Sequence, residues 1–359
     1  MKKIILSVTN NLESDQRVNK VATSLFNHGY DVTVMGVRSR PCHDYTQPYH
    51  TRRLHVFFKK GPLFYAEANI RFLFALLFSK ADIFLANDTD SVLANYLASK
   101  IRRKQLIVDL HELFPEVPEV VNRPKVKRFW TKIEDIVFPH ITKGYTVCQS
   151  IADYYKKRYN ISLGVVRNIP NKRAYQGRTN KLNYGGKKII LYQGAVNVGR
   201  GIEWVIDAMP MIDNAVFVVI GKGDLYDDLR QKTEQMRLSD KVIFLGHIPF
   251  AELSEYTRSA DIGLCLLKNQ GLSYYNSLPN RVFDYMQNHV PLLATNFPEI
   301  ANVLGTYGTG KLIDHYEPEY LAQTIQQMLA QPIDHPTFEK ACEAFNWENE
   351  EKVLMGIIG

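Results

Sequence analysis

The sequence lacks an apolar segment of 18 or more residues, which argues against a membrane-spanning helix. Residues 1–8 form too brief an apolar stretch for a signal peptide, so a cytoplasmic protein is expected. The four cysteines have no metal-ligand spacing, and we expect buried, reduced thiols and no metal site at Cys42, Cys148, Cys265 and Cys342. No Gly-x-Gly-x-x-Gly follows the first predicted strand, which argues against a nicotinamide-dependent dehydrogenase.

What the chain does have is charge, distributed unevenly. Its 359 residues carry a formal charge of +7, but residues 1–180 hold 29 Lys and Arg against 15 Asp and Glu, a net of +14. Residues 181–359 hold 15 against 22, a net of −7. Nucleic acid, a membrane surface and acidic sugars could each attract the basic half, or the cations could only solubilise an aromatic-rich surface. No nucleic-acid-binding signature accompanies them, so we expect no nucleic-acid partner.

Strand and helix patterns alternate along both halves, which predicts an α/β protein with two doubly wound, Rossmann-like parallel sheets. A polar, aperiodic linker at 172–187 separates predicted domains at 1–171 and 188–334, and an amphipathic tail helix follows at 335–359. Open α/β sheets bind ligands at the carboxyl ends of their strands, so a cleft between two such edges is expected. The predicted strands are residues 3–8, 31–37, 82–86, 105–110, 144–147, 165–166, 188–193, 215–220, 242–245, 262–267 and 291–295.

Two Gly-containing turns of the second half are candidate phosphate sites. The segment from Gln193 to Gly201 begins at the end of a predicted strand and leads into a helix, and Arg200 could hold a diphosphate bidentately. The alternative is an ordinary loop with a surface arginine. Gly221 and Gly223 form a similar turn, for which the alternative of a mere tight turn is slightly favoured.

A third candidate is the helix start at Pro279, where free N–H groups could bind an anion. Asp284 lies on the first turns of that helix and could accept hydrogen bonds from ribose hydroxyls. The alternative is that Asp284 only complements the helix dipole.

In the first half, Asp109 lies at the end of a predicted strand, and His111 and Glu112 directly follow it, a position that favours a functional site. Asp88 follows another strand in the same way, although the segment 87–90 could equally cap the helix predicted at 91–99.

The stretch 57–85 is aromatic, with interleaved basic residues, as an interfacial helix would be. The alternative is a core helix of the first domain, which we favour for Leu73, Leu76 and Leu77.

Together these segments resemble the retaining glycosyltransferases of family 4, which have the GT-B fold. The resemblance runs along nearly the whole chain and does not identify the sugar. It is carried by the segments DQRVNKVA (15–22), DLHELF (109–114), VRNIPN (166–171), YQGAVNVGRG (192–201), GHIP (246–249) and SLPNRVFDYM (277–286).

The resemblance implies transfer of a sugar from a nucleoside diphosphate sugar, with a UDP-sugar expected as co-substrate and neither cofactor nor metal. His111, Arg200 and Asp284 would be catalytic, and the tail helix would pack back on the first domain. The acceptor would be lipid-linked or an oligosaccharide, and the enzyme peripheral at an anionic inner membrane face. Implied donor-binding residues are Gly194, Arg200, Gly221, Gly223, His247, Ile248, Asn276, Leu278, Pro279, Asn280, Arg281 and Asp284; implied acceptor-side residues are Asn10, Asp15, Asp88, Asp109 and Glu112.

The chain departs from the family pattern at three places. Ala195 stands where an arginine is usual, Asn276 and Asp284 replace a Glu-x7-Glu pair, and the segment 10–13 replaces a Gly-Gly turn. Either the donor contacts are altered or activity is weakened. Two alternatives to a transferase therefore stay open: a non-catalytic partner subunit that binds sugar nucleotide or glycan, and a GT-B sugar-nucleotide epimerase.

Overall fold

The computed structural model describes residues 1–13, 15–38 and 46–359; Cys42 lies outside these ranges. The chain divides into two compact units. The first contains residues 1–168, 271–273 and 350–359, and the second contains residues 169–270 and 274–349. Cys148, Cys265 and Cys342 are buried, as predicted.

Each unit contains one sheet whose paired strands are all parallel. The order is β3-β2-β1-β4-β5-β6-β7 in the first unit and β10-β9-β8-β11-β12-β13 in the second, so the doubly wound α/β prediction is confirmed. The strands are β1 Lys3–Ser7, β2 Asp31–Arg38, β3 His50–His55, β4 Ile83–Asn87, β5 Gln105–Leu110, β6 Gly144–Thr146, β7 Gly164–Val165, β8 Lys188–Gln193, β9 Ala215–Ile220, β10 Val242–Gly246, β11 Ile262–Cys265, β12 Leu292–Thr295 and β13 Gly310–Ile313.

Helices connect the strands, with short 3₁₀ turns at Phe114–Glu116, Phe138–His140 and Met209–Met211. The α-helices are α1 Gln16–Asn27, α2 Pro62–Leu77, α3 Thr89–Arg102, α4 Pro118–Val121, α5 Pro124–Val137, α6 Gln149–Tyr159, α7 Ile202–Ala208, α8 Tyr226–Gln235, α9 Phe250–Thr257, α10 Leu272–Tyr275, α11 Arg281–Gln287, α12 Pro298–Tyr307, α13 Pro318–Leu329, α14 His335–Ala344 and α15 Trp347–Ile358. None of these helices is long and apolar enough to cross a bilayer, within the residues described.

Two interior strands, β4 and β9, are buried along their whole length. All six residues of β9 and all five of β4 are buried. A parallel strand covered by helices on both faces must be apolar on both faces, which explains the continuous apolar run AVFVVI of β9. The edge strand β3, with sequence HTRRLH, is largely exposed and has no such run. The sequence therefore predicted the central strands and missed this edge.

The tail contains two helices, α14 and α15, where one was predicted. Asp334 caps α14 by accepting a hydrogen bond from the Thr337 amide. The first helix ends at Ala344, and α15 begins at Trp347. Residues 350–359 of α15 belong to the first unit. There Glu350 accepts hydrogen bonds from the Arg167 amide at 2.7 Å and from its Nη1 at 3.0 Å.

Candidate functional site

In the first unit, the carboxyl ends of β4 and β5 bring polar side chains together. The two strands are neighbours in parallel register, so the residues that follow them lie at one edge of the sheet. His111 Nδ1 lies 3.0 Å from Asp88 Oδ2, and the His111 amide donates to Asp88 Oδ1 at 2.7 Å. Asp88 is the N-cap residue of α3, with a φ of 59°, but its side chain makes no capping bond. The carboxylate is instead engaged with His111.

A buried ion pair between Arg17 and Asp109 contacts this cluster. Arg17 donates from Nε to both oxygens of Asp109, at 3.0 and 2.9 Å, and from Nη2 to Oδ1 at 2.6 Å. Its Nη1 donates to the Val166 carbonyl at 2.8 Å. Asp109 Oδ2 also lies 3.2 Å from His111 Nε2, as an electrostatic contact not aligned for a hydrogen bond. Asp109 therefore joins two cations, and Arg17 is a site residue that the sequence analysis did not single out.

The charges of this cluster shift one another's protonation. Burial would raise the pKa of Asp109, but the Arg17 and His111 cations lower it to about 2. Burial would lower the pKa of His111, but the Asp88 and Asp109 carboxylates raise it well above its usual value. His111 is therefore an imidazolium at neutral pH, held by two carboxylates.

Two further carboxyl groups next to this cluster are held towards the neutral form. Burial, and then the charge of Asp88, raise the pKa of Asp90 to about 7 and that of Glu112 to about 8. The Thr9 hydroxyl donates a hydrogen bond to Asp90. A carboxylic acid kept partly neutral at pH 7 can donate a proton or a hydrogen bond as well as accept one.

The other two acceptor-side predictions, Asn10 and Asp15, contact each other. Asn10 Nδ2 donates to Asp15 Oδ2 at 2.7 Å, and Asp15 caps α1 by accepting from the Val18 amide at 3.0 Å. Asn10 Oδ1 accepts from the Leu12 amide at 2.9 Å, which supports the positive φ of 74° at Leu12. Both residues thus shape the β1–α1 turn.

In the second unit, the two glycine turns pack backbone against backbone. A Cβ at Gly221 would lie 1.8 Å from the Gly194 carbonyl oxygen, and one at Gly223 would lie 2.5 Å from that of Val196. The Gly194 amide donates to the Ile220 carbonyl at 2.9 Å, and the Val196 amide donates to Lys222 at 3.1 Å. The Gly-x-Gly sequence is needed for this close approach, beyond the requirement of a tight turn.

Two arginines lie at these turns with unused hydrogen-bond donors. The Arg281 guanidinium stacks over the Tyr192 ring at 4.6 Å and would lie 3.1 Å from a Cβ at Gly194. Its side chain is buried, and its Nη1 has no hydrogen-bond partner. The Arg200 guanidinium lies over the Tyr274 ring at 4.9 Å, and its Nε is buried without a partner. Neither arginine has an ion-pair partner among the described residues.

The other predicted donor residues surround these turns. The Gly221 amide donates to the Gly246 carbonyl at 2.7 Å, which places His247 and Ile248 next to the Gly221 turn. Asn276 and buried Leu278 precede α11, with Pro279 and the N-cap Asn280 directly before Arg281.

Asp284 lies on α11 and lines a cavity of about 340 Å³ within the second unit. Gln193 lines the same cavity; its Oε1 accepts from the Thr257 hydroxyl at 2.8 Å, and its Nε2 is buried without a partner. Gln193 is a candidate that the sequence analysis did not name. A polar residue at the end of an otherwise apolar strand is the sequence signal that could have identified Gln193.

Two family models match consecutive parts of the chain. "Glycosyltransferase Family 4" matches residues 16–171 and "Glycosyl transferases group 1" matches residues 177–345. With two Rossmann-like units and these matches, the chain belongs to the family-4 glycosyltransferases of the GT-B fold.

Curated relatives match over part of their length. An uncharacterized glycosyltransferase of Methanocaldococcus jannaschii is 24% identical over 48% of this chain and 44% of its own. An alpha-monoglucosyldiacylglycerol synthase of Streptococcus pneumoniae is 26% identical over 48% of this chain and 40% of its own. The chain thus spans less than half the length of these two relatives.

Solved structures match over the whole chain. A sucrose-phosphate synthase of Thermosynechococcus elongatus has a TM-score of 0.81 at 17% identity, covering 99% of this chain and 98% of its own. The Anabaena protein Alr3699/HepE, in complex with UDP-glucose, has a TM-score of 0.76 at 13% identity, covering 100% and 99%. At these identities the likeness shows the fold.

Proposed function

We propose that this chain transfers a sugar from a nucleoside diphosphate sugar, and that the second unit binds the diphosphate. The observation that carries this is the pair of guanidiniums, Arg200 and Arg281, with buried N–H groups that have no hydrogen-bond partner among the described residues. A buried cation without a carboxylate is costly unless a ligand supplies the negative charge. The Alr3699/HepE complex makes a UDP-sugar the donor of first choice.

The chemistry proposed for this site is a retaining transfer that needs no metal. The bond between the anomeric carbon and the diphosphate oxygen breaks, and the acceptor oxygen forms its bond on the same face. The acceptor proton passes to the departing phosphate oxygen. Arg200 and Arg281 stabilise the negative charge that develops on the diphosphate. Asp284 holds the ribose, and the His111 imidazolium donates a hydrogen bond to the transferred sugar.

For the acceptor we propose a lipid-linked hydroxyl, with an oligosaccharide as the alternative. The Streptococcus relative is named for making a glucosylated diacylglycerol. In this chain, one face of α2 exposes apolar side chains: Ile70 is 56% exposed, Phe74 57%, and Phe78 just beyond the helix 83%. An exposed apolar face of this kind, flanked in sequence by the exposed cations Lys59, Lys60 and Lys80, suits the interface of an anionic membrane.

The sequence expectation for this stretch holds in part. Leu76 is fully buried, and Leu73 and Leu77 are half-buried and pack against the core of the first unit. One face of α2 is therefore core, and the opposite face is exposed. We propose that the exposed face is the peripheral membrane contact, and that salt weakens its binding to anionic vesicles.

The test of the proposed function is Arg200→Ala, compared with Arg230→Ala. Arg230 lies on α8 of the same unit and is 62% exposed, in an i,i+4 pair with Glu234. We expect UDP release from a UDP-sugar in the presence of acceptor to fall by about 10²–10³-fold in Arg200→Ala. Arg230→Ala should match the wild type. Equal turnover in all three proteins would refute the diphosphate assignment.

A non-catalytic sugar-nucleotide-binding subunit is the second candidate. Ala195 is exposed in the segment 193–201 and supplies no positive charge for the diphosphate. Asn276 likewise supplies no carboxylate for the donor sugar. This candidate predicts that UDP binds while neither transfer nor hydrolysis occurs. Product analysis with the UDP-sugar alone also separates a transferase from an epimerase, because an epimerase would convert the sugar without releasing UDP.

A further inference from the structure

The first unit contains an apolar cavity of about 270 Å³ between α2, α3 and α5, which we name the α2–α3–α5 cavity. Its walls include Leu73, Leu93, Leu97, Trp130 and Ile133. A volume below the usual 300–1,000 Å³ of a small-molecule site suits one segment of a ligand and not a whole lipid.

Three polar side chains that line this cavity, Asn69, Thr89 and Asp90, are already bonded within the protein. Asn69 donates to the Asp90 carbonyl at 2.7 Å and accepts from the Ala94 amide at 3.2 Å. The Thr89 hydroxyl donates to Glu134 at 3.1 Å, and the Asp90 carboxyl accepts from Thr9. A peptide would bring backbone N–H and C=O groups that find few partners here, whereas a hydrocarbon chain brings none.

One end of the cavity adjoins the polar cluster of His111. Thr89 and Asp90 line the cavity and directly follow Asp88, whose carboxylate contacts His111 at 3.0 Å. The Asp90 carboxyl is itself close enough to feel the charges of Asp88 and His111. A molecule with its apolar end in the cavity would therefore hold its polar end near His111.

Three exposed apolar side chains also line the cavity. Ile70 is 56% exposed, Phe129 56% and Leu97 38%, and all three line the cavity. Exposed cations neighbour them along the same helices: Lys100 follows Leu97 by three positions, and Arg128 precedes Phe129. Exposed apolar side chains with neighbouring cations complement the acyl region and anionic head groups of a membrane.

We propose that the α2–α3–α5 cavity holds the first segment of the acceptor lipid's hydrocarbon chain and so directs the acceptor hydroxyl to His111. This inference rests on the proposed function for the identity of its occupant. On this proposal the enzyme selects its acceptor by the length of the hydrocarbon chain as well as by the head group.

The first test is direct binding, without donor or catalysis. The probe is cis-parinaric acid, a fluorescent long-chain fatty acid, titrated into the full chain. Leu97→Trp and Ile70→Trp place a ring at the cavity, and both sites are partly exposed, so neither variant should disturb the core. We expect each to weaken probe binding about tenfold, because the ring displaces about two methylenes of buried chain.

The matched control is Ile101→Trp, one turn further along α3, where the side chain is 66% exposed and does not line the cavity. It should bind the probe as the wild type does. If the wild type does not bind the probe, or if both cavity variants bind it unchanged, the proposal is overturned.

The second test separates this proposal from the proposed function. With diacylglycerol acceptors of long and short chains, Leu97→Trp should raise KM for the long chain about tenfold and leave kcat and the short-chain reaction unchanged. If Leu97→Trp transfers sugar to the lipid with an unchanged KM for the long chain, the cavity proposal is refuted and the transferase proposal is not. Probe binding lost in the cavity variants, with no transfer by the wild type, would support the cavity and refute the transferase.

Discussion

The two units handle buried charge in opposite ways. In the first, every strong charge of the polar cluster has a partner within the protein: Arg17 with Asp109, and His111 with Asp88 and Asp109. In the second, Arg200 and Arg281 are stacked on aromatic rings, with N–H groups left over. The first cluster is organised before any ligand arrives, and the second is completed by the negative charge of one.

This difference also bears on the opposite net charges of the two halves. The half with a net charge of −7 is the one proposed to bind an anionic nucleotide, so its attraction must be local. Two guanidiniums held beside glycine turns supply that attraction, and the overall field of the unit does not. Mutations of these charged groups should therefore affect stability in the first unit and ligand affinity in the second.

The largest expected effect on stability is that of Arg17→Met. It leaves Asp109 buried with only the His111 contact, and breaking a buried ion pair costs about 3–5 kcal/mol. We expect the free energy of unfolding in urea to fall by about 3 kcal/mol, at the low end because His111 remains. Asp31→Asn is the control: it breaks the exposed pair with Lys3, and the loss should stay below about 1 kcal/mol. Equal losses would contradict the preorganised cluster.

A smaller effect is expected from Gly221→Ala in the second unit. The new Cβ would meet the Gly194 carbonyl, and overpacking of this kind costs about 1–3 kcal/mol. Gly177→Ala isolates the contribution of backbone strain, because Gly177 also has a positive φ, of 78°, but has open space around it. UDP affinity should fall only in Gly221→Ala. A loss of affinity in both variants would show that the turn packing is not its cause.

The smallest effect is a pH dependence carried by Asp90. Its pKa is raised to about 7 in the folded chain against about 3.9 unfolded, so its contribution to stability is complete below about pH 4 and is lost as the pH rises through 7. Asp90→Asn removes that loss. Between pH 5 and pH 8 the variant should gain about 1–2 kcal/mol over the wild type, less than the full shift because neighbouring charges adjust. Parallel pH curves in urea unfolding would contradict the raised pKa.

The sequence predicted the fold well wherever burial imposes a pattern. Apolar runs identify central parallel strands such as β4 and β9, because helices cover both of their faces. The edge strand β3 was missed because it is exposed and rich in His and Arg. The break between α14 and α15 was missed because an amphipathic pattern continues across it.

Candidate site residues could be identified where they lie at the end of a strand or just beyond it, as Asp109 and His111 do. Arg17 could not, since it lies within α1 and is paired with Asp109 across 92 positions of sequence. The raised pKa of Asp90 was equally hidden, because it depends on burial and on the nearby charge of Asp88. The sequence predicts which residues lie at a strand end. It does not predict which distant charged side chain pairs with them in the folded protein.

The most direct test of the contrast is calorimetric titration of Arg281→Met with UDP and with uridine, which lacks the diphosphate. Removing a cation that has no ion-pair partner among the described residues should leave the melting temperature within a few degrees of the wild type. UDP affinity should fall by about 1.5–3 kcal/mol, roughly 10–150-fold, while uridine affinity stays the same. Unchanged UDP affinity, or equal losses for UDP and uridine, would contradict a diphosphate site at the unpaired guanidiniums.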